Sequence, residues 1–209
     1  MSDRIIAIDG PAGSGKSTVA RAVAQELGWI YLDTGSMYRA VAIAARTQGI
    51  SLTDETAMGV FASGVTLSLG ARVVINDVDV TDELRTERTN RDVSVVAALG
   101  SVREAMVAQQ RLFAANADTG VVVEGRDITT VVFPNATVKI YLTATPEERA
   151  RRRGGDEGVA SVARRDDADM NRAVSPLTQA ADARSIDTTG RSISDVVQEI
   201  VACLENNLN

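Results

Sequence analysis

The sequence predicts an α/β fold in which a parallel sheet is flanked by helices and interrupted by a small antiparallel insertion. Three observations predict it. A short apolar run, Ile5-Ile6-Ala7-Ile8-Asp9, leads through a glycine-rich segment into a helical pattern in which Val19, Val23 and Leu27 recur at four-residue spacing, with Gly28 as the stop. Further short apolar runs then alternate with helical stretches, as β-α units require. Between Val65 and Val80 that pattern gives way to alternating apolar and polar residues punctuated by the turn pairs Gly70-Ala71 and Asn76-Asp77, which reads as an antiparallel meander inserted outside the main sheet. At 209 residues and 44% hydrophobic content the chain can bury one sizeable core, so a single domain over 1–209 with insertions is expected.

The glycine-rich segment is Gly10-Pro11-Ala12-Gly13-Ser14-Gly15-Lys16-Ser17-Thr18, which matches G-x-x-x-x-G-K-[ST] in full. Between a strand and a helix this is a phosphate-binding loop, and the fold class becomes that of the P-loop nucleoside triphosphatases. The glycines let the backbone curl so that its N–H groups face a polyphosphate, and the helix N-terminus adds its positive dipole end. Lys16 is expected to reach the β- and γ-phosphates of ATP, and Ser17 to hold Mg²⁺.

Trp29 to Asp33 reads as a second buried strand, followed by Thr34-Gly35-Ser36-Met37-Tyr38-Arg39 as a loop and a helix over Ala40 to Arg46 that Gly49 ends. Ligands bind in open α/β sheets at the carboxyl ends of strands, which singles out Thr34, Tyr38 and Arg39. A solvated helix charge is the competing account of Arg39. After the meander, Thr81 to Leu99, with seven charged residues and Ser94 among apolar neighbours, reads as a connection back to the core. Ser101-Val102-Arg103-Glu104 has the form of a capping box, with Ser101 as N-cap. Arg103 then falls in a first turn, where the helix dipole disfavours a cation by about 0.3–1 kcal/mol, so it is either a tolerated surface charge or a functional one.

Gly120 to Val123 is a buried strand, and Glu124-Gly125-Arg126-Asp127 leaves its carboxyl end. Glu124 could assist Mg²⁺ through water, Arg126 could neutralise phosphate, and Asp127 could accept from an amino group; an Arg126–Asp127 surface turn is the alternative. Ala136 to Leu142 is the next strand, and Thr145-Pro146-Glu147-Glu148 opens a helix carrying Arg149, Arg151, Arg152 and Arg153. Gly154-Gly155 breaks it. A further helix is expected from about Val159 to Ala173, placing Arg165, Asp169 and Arg172 on one face. Arg184 to Asp187 gives a last strand, and Ile193 to Leu204 an amphipathic closing helix.

The net charge of −6 argues against a nucleic-acid-binding surface. Cys203 is the only cysteine and there is no histidine, so no internal disulfide and no Cys/His metal cluster are expected. No apolar stretch approaches the ~20 residues of a membrane span, and the first strand begins too early for a signal peptide, so a soluble, cytoplasmic and monomeric protein is expected.

Taken together, Asp9 to Thr18, Asp33-Thr-Gly-Ser-Met-Tyr-Arg39, the meander, Val102-Arg103-Glu104, Gly125-Arg126-Asp127, Val131-Val-Phe-Pro134 and the run from Arg165 to Pro176 resemble the bacterial cytidylate kinases, a branch of the nucleoside monophosphate kinases. The resemblance spans nearly the whole chain. It implies transfer of a phosphoryl group from Mg²⁺·ATP to CMP or dCMP. It also implies that Thr34, Arg39 and Arg126 hold the CMP phosphate, that Ser94, Arg103, Asp127 and Arg172 read cytosine, and that Arg165 and Asp169 take the ribose. Residues of about 34–100 would form the part that receives the monophosphate, and about 149–172 a short lid. Lys16 with Arg149 and Arg153 would stabilise charge on the transferred group, and no general base is needed. The chain departs from its relatives in having Glu124 where many have Asp, Thr129 where Gly is usual, and only eleven residues between Arg153 and Arg165. The usual form of a GTPase-like switch is excluded, because it needs an N-K-x-D motif and the only other lysine, Lys139, follows Val138. A kinase for another small acceptor would share the first fifty residues' logic without needing the meander or Asn171-Arg172, and a regulatory nucleotide-binding module would not need two arginine groups.

Overall fold

In the computed structural model, residues 4–152, 163, 166–167 and 169–208 are described. The chain divides into two compact units, Met1–Leu32 with Phe113–Asn209, and Asp33–Leu112.

The first unit is built on a five-stranded sheet. Its strands are β1 (Ile5–Asp9), β2 (Ile30–Asp33), β6 (Val121–Glu124), β7 (Val138–Thr143) and β8 (Arg184–Asp187), in the spatial order β2-β6-β1-β7-β8. β1 is central and pairs in parallel with β6 (Ile8 opposite Glu124) and with β7 (Asp9 opposite Tyr141), while β7 pairs in parallel with β8. Every residue of β1 and β6 is buried, which is why both read as continuous apolar runs. Helices α1 (Lys16–Leu27) and α7 (Ile193–Leu208) supply Val19, Val23, Val196, Ile200 and Leu204 to a core with Ile6, Ile8, Val122, Ile140, Leu142 and Ile186. Helix α6 (Pro146–Arg152) follows β7, and its start is capped as expected, Glu148 N donating to Thr145 Oγ1 at 3.3 Å. Ala163, Asp166, Asp167, Asp169 and Met170 are helical, but from Asn171 onward the chain is irregular, so the helix expected to reach Ala173 stops short.

The second unit carries α2 (Thr34–Thr47), α3 (Glu55–Gly64), α4 (Glu87–Val96) and α5 (Gly100–Ala115), with the meander β3 (Leu67–Leu69), β4 (Val73–Ile75) and β5 (Val78–Asp79) as a separate antiparallel sheet. Asn76 and Asp77 join β4 to β5 with φ of 47° and 64°, the positive values a tight two-residue hairpin needs. Three expectations change here. Thr34 to Arg39 is not a loop, because α2 begins at Thr34 with Asp33 as N-cap, its carboxylate accepting from Ser36 N at 3.0 Å. The charged stretch after the meander contains α4, capped by Thr86. Ser101 is not an N-cap: α5 already starts at Gly100, and the Ser101 hydroxyl donates to Glu55 O at 2.8 Å.

Candidate active site

The loop between β1 and α1 curls under steric constraints that only glycine meets. A Cβ on Gly10 would stand 2.0 Å from the backbone oxygen of Leu142, and Gly13, with φ of 79°, would place a Cβ 2.8 Å from the backbone oxygen of Arg149. Lys16 opens α1 and is buried, its Nζ donating to Pro11 O at 2.8 Å across the loop. Burial, together with the nearby Arg126 guanidinium, pushes the Lys16 ammonium down to about 7, although Glu124, Asp9 and Asp169 pull the other way. The group is therefore poised to gain from a polyanion.

One turn of α1 faces the end of β6. Ser17 Oγ donates to Glu124 Oε1 at 2.5 Å, and the Tyr31 hydroxyl, from β2, donates to the same oxygen at 3.2 Å. Just beyond, Arg126 Nε donates to Asp169 Oδ2 at 2.8 Å, and Arg172 Nη2 lies 3.9 Å from Asp169 Oδ1. Burial alone would push the Asp169 carboxyl up, but Arg126, Arg172 and Lys16 outweigh it and hold the group below the usual carboxylate range. Asp127 is buried, and its carbonyl caps a π-helical turn over Ile128–Val132 by accepting from Val131 N at 2.9 Å.

That turn is anchored to the end of β1 by Asp9, the residue that leads into the phosphate-loop motif but to which the sequence assigns no role. Its buried carboxylate accepts from Ile128 N at 2.9 Å, Thr129 N at 2.7 Å and Thr129 Oγ1 at 2.7 Å. Burial raises the Asp9 carboxyl above its ordinary value, and these bonds limit the rise.

Among the expected charge stabilisers, Arg149 is buried and turned onto the loop, Nε donating to Ala144 O at 3.1 Å and Nη1 to Ala12 O at 3.2 Å, while it also pairs with Asp166. Arg152, given no role by the sequence, donates from Nη1 to Thr188 Oγ1 at 2.9 Å, and that hydroxyl lies 3.0 Å from Ser14 O. Arg153, Arg165 and the glycines at 154, 155 and 158 lie outside the described residues.

In the second unit, Thr34 and Tyr38 are buried on α2, with Arg39 half-buried beside them. Arg103 is buried in the first turn of α5, its Nη1 donating to Ala97 O at 3.1 Å and its guanidinium 5.3 Å from the Tyr38 ring centroid. A cation at that position is thus held by an aromatic face and a carbonyl, which rules out a merely tolerated surface charge. Ser94 is exposed on α4, between Val93 and Val95.

Comparison with known proteins then places the chain. The family model described as cytidylate kinase matches residues 6–206. The chain belongs to the cytidylate kinase family. It is 45% identical to a cytidylate kinase of Halalkalibacterium halodurans over the full length of both chains, and 46% identical to one of Desulforamulus reducens over 97% of each. It is also 48% identical to a bifunctional pantoate ligase/cytidylate kinase of Trichormus variabilis, of which it spans 42%. Among solved structures, a gluconokinase from Sinorhizobium meliloti superposes with a TM-score of 0.54 at 15% identity, covering 97% of this chain and 92% of that one. A shikimate kinase from Acinetobacter baumannii superposes with a TM-score of 0.52 at 15% identity, over 98% and 94% of the two chains. These two likenesses speak to the fold alone. Within the cytidylate kinase fold, the residues that sequence reasoning passed over are Asp9, Tyr31, Asp166 and Thr188, each of which acts through a partner far away in the chain. Among the described residues no helix is long and apolar enough to cross a membrane.

Proposed function

We propose that this protein transfers the γ-phosphoryl group of ATP to CMP, and to dCMP, giving ADP and the corresponding diphosphate. The observation that carries the reading is the cluster of Lys16, Ser17, Glu124 and Arg126 assembled around a phosphate loop in a chain of this family. Phosphoryl transfer asks little covalent chemistry of the protein, so rate comes from alignment and from cations that match charge on the transferred group. Lys16 and Arg126 are cations already in place, as is Arg149 against Ala12 O of the phosphate loop, and Arg153 is assigned to the same task in a lid of about 149–172 that excludes water.

The acceptor phosphate is assigned to Thr34, Arg39 and Arg126, and Tyr38 is counted among the substrate-binding residues. Cytosine is read by Ser94, Arg103, Asp127 and Arg172, and the ribose by Arg165 and Asp169. The residues of about 34–100 form the part that receives the monophosphate, and the protein acts as a cytoplasmic monomer. The Ser17 hydroxyl and Glu124 carboxylate are hard oxygen donors held 2.5 Å apart, a set that suits Mg²⁺ with Ser17 as the ligand and Glu124 reaching the ion through water, the other positions being filled by phosphates and water. When bound, that ion supplies neutralisation of phosphate charge. Coupled measurement of ADP formation across CMP, dCMP, UMP and AMP tests the reading. The highest kcat/KM is expected for CMP or dCMP, and AMP turnover equal to that of CMP would overturn the specificity.

A further inference from the structure

We propose that Tyr31 is a positioning residue for the metal-binding carboxylate, the device that lets a glutamate serve at position 124. The proposal rests on the reading of Ser17 and Glu124 as the Mg²⁺ site. A glutamate carries one more rotatable bond than an aspartate, so its carboxylate reaches further and samples more positions unless something holds it. Here Oε1 of Glu124 is held from two elements at once, by Ser17 Oγ from α1 at 2.5 Å and by the Tyr31 hydroxyl from β2 at 3.2 Å. Tyr31 is itself braced, since the Arg21 guanidinium of α1 sits 5.2 Å from the centroid of its ring. Helix α1 therefore grips the carboxylate directly through Ser17 and indirectly through Arg21 and Tyr31. The two contacts fix the acid where the Ser17 hydroxyl needs it. An aspartate, one carbon shorter and set at the same strand end, would draw the carboxylate back from the tyrosine hydroxyl, already the longer of the two contacts at 3.2 Å.

The test is a double-mutant cycle on the full chain, read by calorimetric titration of ADP with and without Mg²⁺. The quantity followed is the gain in ADP affinity that Mg²⁺ confers. Tyr31→Phe, which keeps the ring over which Arg21 lies, is expected to cut that gain by roughly three- to tenfold while leaving metal-free ADP binding unchanged. In a Glu124→Asp background the same substitution should change the gain by less than about twofold, because the shorter carboxylate no longer meets the phenol. Equal loss of affinity with and without Mg²⁺, or an undiminished loss in the Glu124→Asp background, would overturn the proposal. Glu124→Gln separates the two layers of the argument. If it retains the full Mg²⁺ gain, the metal reading itself fails and the proposal with it; if it loses the gain while Tyr31→Phe is silent, only the role of Tyr31 is overturned.

Discussion

Thr129 donates twice to the carboxylate of Asp9, from its backbone nitrogen and from its hydroxyl, both at 2.7 Å. Asp9 is the last residue before the phosphate loop, and Thr129 stands two residues after Asp127, so one buried carboxylate ties the donor side of the proposed site to the turn that carries Gly125-Arg126-Asp127. The Thr129 hydroxyl thus adds a bond that a glycine at this position would lack. Thr129→Val keeps the volume and the backbone donors but takes one partner from a buried acid, which is expected to lower stability by about 1–3 kcal/mol in urea unfolding. The KM for CMP should rise more than the KM for ATP, since the phosphate loop has its own scaffold and the turn does not.

The depressed Lys16 ammonium makes nucleotide binding proton-linked. Its value of about 7 in the free protein will rise when phosphate charge arrives beside it, so above that pH binding takes up a proton and affinity falls as pH increases. Below it the proton is already present and little uptake occurs. Titration of ADP in buffers of different ionisation enthalpy is expected to show uptake approaching one proton at about pH 8 and near zero at about pH 6. Lys16→Met should abolish the uptake and lower kcat by roughly 10²–10³.

Base selection is predicted to rest on complementarity between cytosine and the pair Asp127 and Arg103. The 4-amino group of cytosine donates and its N3 accepts, the reverse of uracil, and both side chains are buried, so a mismatched base leaves polar groups unpaired at about 1–3 kcal/mol each. Asp127→Asn is expected to reduce kcat/KM for CMP and to narrow the CMP-to-UMP ratio. A ratio that stays as in the parent means that the base is read by other residues.

What the sequence made legible was what neighbours along the chain determine. β1, the phosphate loop and α1 lie within one continuous stretch, and the Asn76-Asp77 hairpin and the Thr145 cap are likewise local. α4 escaped because only Thr89, Val93 and Val96 of its residues are buried, leaving too narrow an apolar stripe to stand out among its charges, and α3 buries only Met58 and Ala62. Ser101 misled because its hydroxyl is claimed by Glu55, a partner on another helix. The site divides the same way: Lys16 and Ser17 are announced by their motif, whereas Asp9, Tyr31 and Asp166 take their roles from partners that only the folded chain brings near.

The pairing of Arg149 with Asp166 bears on the proposed role of Arg149 at the transferred phosphoryl group. The Arg149 guanidinium is buried against Ala144 O and Ala12 O and shares its charge with Asp166, whose second oxygen is buried without a hydrogen-bond partner among the described residues. If Arg149 serves the transferred phosphoryl group as proposed, it must exchange Asp166 for phosphate, and the carboxylate competes with the nucleotide for it. Asp166→Ala should then have opposite effects on two measurements. It strands a buried cation in the free protein, so stability is expected to drop by about 3–5 kcal/mol in urea unfolding. It also removes the competitor, so ATP should bind about two- to fivefold more tightly in calorimetric titration. Asp166→Asn, which keeps an acceptor and loses the charge, should show both effects at smaller size. If ATP affinity falls together with stability in both variants, Arg149 works where it stands, bracing Ala12 of the phosphate loop, and does not transfer to the nucleotide.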